Sequence, residues 1–230
     1  MKNYARLAGL LYLVIAITGG FSIGYMPGEI IVEGDPHTTF QNLLSNQTLF
    51  KWGIAGDIAV LVFETLLTVM LFALLKPYSD TGIRVATYSR LAMAIIMAMN
   101  LINYMIPAVF VFEPALVGGV SPMDLETTTM LFFKAHKFGE YAWQLFFSIH
   151  LFTLGYVIWK SKKAPFMLGI LMLIGGVGYA GDSFIRFVWV DTAWISTTFS
   201  VLLVLAVISE FWFAFWLLFK GKKLNAAPKV

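Results

Sequence analysis

No cysteine occurs among the 230 residues. That removes disulfide scaffolds, cysteine-ligated metals and thiol nucleophiles. Charge is scarce as well. Asp, Glu, Lys and Arg make up 13% of the chain and hydrophobic residues 59%, where soluble domains carry about 25% charged residues. A soluble chain of this length could not cover its surface with so few charges, because the buried fraction is limited by size. An ordinary soluble globular domain is therefore excluded. So is nucleic-acid binding, because the net charge is only +3 despite an isoelectric point near 9.0.

Other absences narrow the chemistry. No lysine sits deep in an apolar run, so a retinal-type Schiff base is excluded. There are three histidines, of which His136 and His150 share one predicted helix and stand about 21 Å apart at 1.5 Å per residue. His37 lies in a loop, so a bis-histidine haem crossing two helices has no second ligand. No phosphate-binding glycine loop and no nucleophile elbow occurs.

What the chain does have is long apolar runs. A membrane helix needs roughly 20 mostly apolar residues, and six stretches qualify: 7–25, 52–75, 85–112, 130–159, 166–187 and 196–219. The fold class is therefore all-α, a polytopic membrane bundle with six transmembrane helices in a single domain over residues 1–230. The first run begins after basic residues and contains Gly19, Gly20 and Ser22, as a signal peptide would. It extends to Tyr25, beyond the ~7–15 residue core of such a peptide, and is read as a retained span. The fourth carries charges in its first turns, so it is expected to begin outside the apolar layer.

Lys and Arg in short loops set orientation. With the N-terminus inside, the inner segments hold Lys2, Arg6, Lys76, Arg84, Lys160, Lys162, Lys163, Lys220, Lys222, Lys223 and Lys229, against one acid, Asp80. The outer loops hold Glu29, Glu33, Asp35, Glu113, Asp124, Glu126 and Asp191; Lys51, Lys134 and Lys137 are exceptions at the outer boundary. The expectation is a multi-pass protein of the inner (plasma) membrane with both termini cytoplasmic. Trp52, Trp189 and Trp194 suit an outer aromatic belt, and Trp159 and Trp216 an inner one. Between the first two spans, Asp35-Pro36 reads as an N-cap with a first-turn proline. Phe40, Leu43, Leu44 and Phe50 follow at helical spacing, which predicts a short amphipathic helix at the outer interface.

Charged groups at membrane depth cost roughly 2.5–3.5 kcal/mol each on insertion scales and face the bundle interior. Asp57, Glu64, Arg90, His136, Glu140, His150, Asp182, Arg186 and Glu210 fall inside the spans, with Asn100, Asn103 and Gln144 adding polarity. Asp57 and Glu64 are seven apart and share a helix face. His136, Glu140, Trp143, Gln144, Phe147 and His150 share another. Asp182 and Arg186 are i and i+4, within ion-pairing reach.

Alternating helix direction sorts these by depth. Asp57, Asn103, His136, Glu140, Asp182 and Arg186 fall in the outer half and, with Glu64, are the ligand-binding candidates. Arg90, His150 and Glu210 form an inner polar group, in which Glu210 is expected to reach Arg90 and His150 to be a hydrogen-bonded interior histidine. Gly175, Gly176, Gly178 and Gly181 form a small-residue stripe suited to close helix packing. His136, Glu140, Asp57 and Asp182 together would make an oxygen-rich set suited to Mg²⁺, Mn²⁺ or Ca²⁺. No cofactor is otherwise expected.

Arg6-Leu7-Ala8-Gly9-Leu10-Leu11-Tyr12-Leu13, Gly53 with Asp57, Leu74-Leu75-Lys76-Pro77 and Arg90-Leu91 carry a resemblance that strengthens along the chain. It continues at His136 with Gly139, then Phe146-Phe147-Ser148-Ile149-His150-Leu151, Leu154-Gly155-Tyr156, Pro165, Gly178-Tyr179 and Asp182-Ser183-Phe184. In these the chain resembles the bacterial family catalogued as domain of unknown function 4386. The resemblance implies a bacterial integral membrane protein of about this length and supplies no activity.

Three functions fit. The first is binding or transport of a small molecule or ion through a polar pocket in the outer half, with a homodimer expected because six helices are few for a transporter. The second is a membrane-embedded, metal-dependent enzyme acting on a lipid-like substrate. The third is a structural or partner-binding bundle whose polar residues only pair. Membrane lipid surrounds the chain in each.

Overall fold

The computed structural model describes residues 4–190 and 192–225. The charges read at Lys2, Asp191 and Lys229 lie outside the described residues. Among the described residues every regular element is helical. In hydrocarbon each backbone N–H and C=O must be satisfied internally, and the α-helix does this within one segment.

The helices are α1 (Tyr4–Gly19), α2 (Met26–Ile30), α3 (Pro36–Ser45), α4 (Gln47–Leu75), α5 (Asp80–Asn100), α6 (Ile102–Phe112), α7 (Pro122–Ser161), α8 (Phe166–Phe187) and α9 (Ala193–Lys220). A π-helical segment, Gly20–Tyr25, joins α1 to α2 without a break. Six helical stretches are long and apolar enough to cross a membrane: Tyr4–Ile30, Gln47–Leu75, Asp80–Phe112, Pro122–Ser161, Phe166–Phe187 and Ala193–Leu224. The six predicted spans are present, most of them longer than their apolar runs. Amphipathic turns such as 122–129 extend a helix beyond the stretch that hydropathy marks. The third runs from α5 into α6 through Leu101, whose backbone stays right-handed helical and whose N–H donates to the Met97 carbonyl at 3.2 Å.

The contacts divide the chain into two compact units. The first takes residues up to Val14, Phe63–Ile95, and residues from Tyr141 onward. Its helices meet through small residues. A Cβ added to Gly175 would stand 2.8 Å from Ala206 Cα, and one added to Gly178 would stand 2.9 Å from the Leu202 carbonyl carbon. At Gly9 it would stand 2.6 Å from the Ala214 carbonyl oxygen. The stripe predicted on α8 therefore lets the α9 backbone close in. Trp52, Trp159, Trp189 and Trp194 are exposed, as belt residues would be. Trp216 instead is buried and stacks on Phe213.

The second unit takes Ile15–Val62 and Ile96–Glu140. Its core gathers Met26, Ile30, Phe40, Leu43, Phe50, Tyr104 and Phe133. The predicted outer-loop helix is α3, and its apolar face belongs to this core. Gly34, at φ +79°, turns the chain into it, a conformation that side chains rarely adopt. Asp35 caps it: Oδ1 accepts from Thr38 N–H at 2.9 Å and Oδ2 from the Thr38 hydroxyl at 2.7 Å. Those two bonds, the backbone one foremost, hold the Asp35 carboxyl below its usual range.

Candidate functional site

Polar side chains gather in two places, one in each unit. In the second unit the centre is His136 on α7, 6% exposed. Its ring lies flat on Tyr104, centroids 3.6 Å apart and 10° between planes. Its Nδ1 stands 3.5 Å from Glu140 Oε1, one turn on. Glu140 Oε2 accepts from Lys137 Nζ at 2.6 Å, so the Glu140 charge is answered from its own helix.

Two amides reach the same place from the junction of α5 and α6. Asn100 Nδ2 donates to the His136 carbonyl at 2.9 Å, and Asn100 Oδ1 accepts from Asn103 Nδ2 at 2.8 Å. Gly139 permits this approach, because a Cβ there would collide with the Asn100 side chain.

Asp57 on α4 lies in the electrostatic reach of His136 and Glu140. It is 5% exposed, and its Oδ1 has no hydrogen-bond partner. The Ser22 hydroxyl stands beside it, fully buried, and acts on the Asp57 carboxyl alone: it has no hydrogen bond to any other group. Buried polar atoms are nearly always paired, and leaving one unpaired costs about 1–3 kcal/mol.

In the first unit the centre is Arg90 on α5, 1% exposed. Its Nε donates to Glu64 Oε2 at 2.6 Å. Nη1 stands 3.3 Å from the Tyr12 hydroxyl and 2.8 Å from His150 Nε2. The guanidinium also lies over the rings of Tyr12 and Phe147, 5.2 and 5.6 Å from their centroids. His150 Nδ1 is 2.8 Å from the Ala86 carbonyl. A carbonyl cannot donate, so Nδ1 carries the hydrogen and Nε2 accepts from Arg90. His150 is thus the hydrogen-bonded interior histidine expected of it.

Two pairings differ from expectation. Glu210 lies within electrostatic reach of Arg90, as expected, but the hydrogen bond its carboxylate accepts comes from the Tyr179 hydroxyl, at 3.5 Å. Arg90 is taken by Glu64, which the seven-residue spacing had grouped with Asp57. The Asp182–Arg186 pair is present but loose: Arg186 Nε is 3.6 Å from Asp182 Oδ1, and the Arg186 side chain is 44% exposed. It is not a low-dielectric lock, and pairs this exposed contribute about 0–1 kcal/mol. The hydrogen bond beside it runs from the Ser183 hydroxyl to Gln144 Oε1, at 3.1 Å.

The four residues offered for a metal divide between the units. Asp57, His136 and Glu140 belong to the second and Asp182 to the first. Among the described residues no three His, Cys, Asp or Glu come close enough to share an ion. Helical depth brought these residues to similar heights, but shared height does not bring side chains face to face.

Sequence reasoning missed Tyr12, Ser22 and Tyr104. Tyr104 follows Asn100 by four and Tyr12 sits in an apolar run, where a phenol reads as packing. For Ser22 the available signal was its place in a span, where small polar residues are commonplace.

An uncharacterized protein of Archaeoglobus fulgidus is similar, 28% identical over 179 residues that cover 76% of this chain and 86% of the relative. That relative is archaeal, so the likeness is not to bacterial proteins alone. No solved structure matches. The family model described as "Domain of unknown function (DUF4386)" matches residues 7–221, and the chain belongs to that family.

Proposed function

We propose that this membrane protein binds, and in transport passes, a small molecule or ion at the polar group of its second unit. The observation that carries the reading is Asp57: a carboxylate oxygen, buried in an apolar span, with no partner. A group that costs this much is retained for something it meets only part of the time. His136, Glu140, Asn100, Asn103 and Tyr104 supply a polar surround with both donors and acceptors. The metal-enzyme reading draws no comparable support, because no three ligands converge among the described residues. The structural reading fits the first unit, where Arg90 and Glu64 satisfy each other.

Asp57→Asn removes the unpaired charge and keeps the shape. The variant should melt at or above the wild-type temperature in the absence of ligand. A panel of alkali cations, divalent cations, protonated amines, amino acids and carboxylates is then added to the full-length protein in detergent. At least one should raise the melting temperature of the wild type saturably and leave Asp57→Asn unmoved. No response across the panel, or equal responses in both proteins, would sink the reading.

The same reading places both termini in the cytoplasm and the protein in the plasma membrane, on the strength of the basic loops. The absence of native cysteine allows a direct test. Gly119→Cys, in an open loop position, should react with an impermeant thiol reagent on intact cells. Lys160→Cys should react only after lysis. Labelling of Lys160→Cys in intact cells would reverse the orientation.

A further inference from the structure

Resting on that reading, we infer that Ser22 and Asp57 form the site of a partly or wholly dehydrated monovalent metal cation. Four observations carry it. First, Asp57 and Ser22 put two buried oxygens, Oδ1 and Oγ, beside each other from two different helical segments, and neither has a hydrogen bond to any other group. Second, the segments meet closely just there. A Cβ added to Gly56, the residue before Asp57, would stand 3.0 Å from Ser22 Cβ.

Third, Ser22 lies in the π-helical segment, and that segment frees a third oxygen. Met26 N–H donates to the Phe21 carbonyl, five residues back. In this register the next N–H would serve the Ser22 carbonyl, but the next residue is Pro27, which has none. The i+5 donor to Ser22 O is therefore missing. Backbone carbonyls released from the regular helical pattern coordinate cations in membrane proteins.

Fourth, the charge matches. The titratable and charged groups in electrostatic reach of Asp57 are His136 and Glu140 on α7 and the Tyr104 phenol on α6. Glu140 is ion-paired with Lys137 and stands 3.5 Å from His136. Asp57 is the acid of this group without an ion pair among the described residues, with hard oxygen donors about it. A divalent ion would call for six or more oxygens or several carboxylates, and no such cluster of acids stands here among the described residues.

The test follows thermal unfolding of the full-length protein in detergent at fixed pH and fixed ionic strength, in NaCl, KCl, LiCl or choline chloride. At least one alkali cation should raise the melting temperature by several degrees, saturably, relative to choline. Ser22→Ala and Asp57→Asn should each remove the difference between salts. If the wild type melts identically in all four salts, the inference is overturned by that protein alone, whatever the variants do.

If the four salts agree but a divalent or organic probe stabilises in a way that needs Asp57, the cation proposal falls and the broader binding reading stands. If an alkali response survives in Asp57→Asn, the ion is held elsewhere and the placement is overturned. A response to pH alone, with no difference between salts, would mean that Asp57 holds a proton instead.

Discussion

Arg90→Met is expected to cost about 3–5 kcal/mol of stability, the range for stripping one partner from a buried ion pair. The reason lies in what stays behind. Glu64 keeps its charge with its strongest donor gone, and its residue is only 5% exposed. The Tyr12 hydroxyl and His150 Nε2 lose the same guanidinium, and two rings lose its face. Glu64→Leu together with Arg90→Met should recover a large part of that loss, because an apolar pair of similar volume carries no desolvation penalty. Thermal or denaturant unfolding of the two variants in one detergent decides the matter. A double variant no more stable than Arg90→Met alone would mean that the loss comes from Tyr12 and His150 rather than from Glu64.

Gly178→Leu is expected to be comparably damaging, at about 1–3 kcal/mol or more. A Cβ at this position meets the Leu202 backbone, not the end of a flexible side chain. The helix pair must part to admit it, and the neighbouring contact of Gly175 with Ala206 parts as well. Gly24→Leu is the control, since a Cβ there has nothing within 4 Å. The melting temperature should fall sharply for the first and little for the second. Equal shifts would show that close α8–α9 packing is not what these glycines provide.

The two expected losses have different standing in the sequence. The α8 stripe was legible, because Gly175, Gly178 and Gly181 recur every three residues of an apolar run; Gly176 turns instead to Phe152 and Ser148 on α7. The choice of Glu64 as the partner of Arg90 was not. Spacing along α4 ties Glu64 to Asp57 and axial depth suggested Glu210 for Arg90, but neither quantity says which helices face each other. The six spans were legible because hydrocarbon demands length and apolarity from each separately. The two-unit division arises from packing between segments, and the π-helical segment is a change of hydrogen-bond register within an apolar run. Hydropathy averages over them.

The candidate site was half legible for the same reason. Asp57, His136 and Glu140 announced themselves as costly residues. Ser22 and Tyr104 did not, because a hydroxyl costs little and an aromatic ring pays its way by packing. What singles out Ser22 is the carboxylate beside it on another helix, which no one window of sequence shows.

The short helix α3 is fastened at several points. Val32 and Thr39 exchange two hydrogen bonds, of 2.9 and 3.2 Å, and Asn42 Nδ2 donates to the Ile30 carbonyl at 3.3 Å. His37 Nδ1 stands 2.8 Å from Glu126 Oε1 on α7, while Phe40 and Leu43 sit in the core. In the language of native-state exchange, this stretch is not a fraying loop with its own small opening energy. Freeing α3 means releasing Ile30 and Val32 and unseating the aromatic cluster around Phe50 in one event. The segment from α2 through α3 thus opens as a single cooperative unit, at a free energy set by the core it completes.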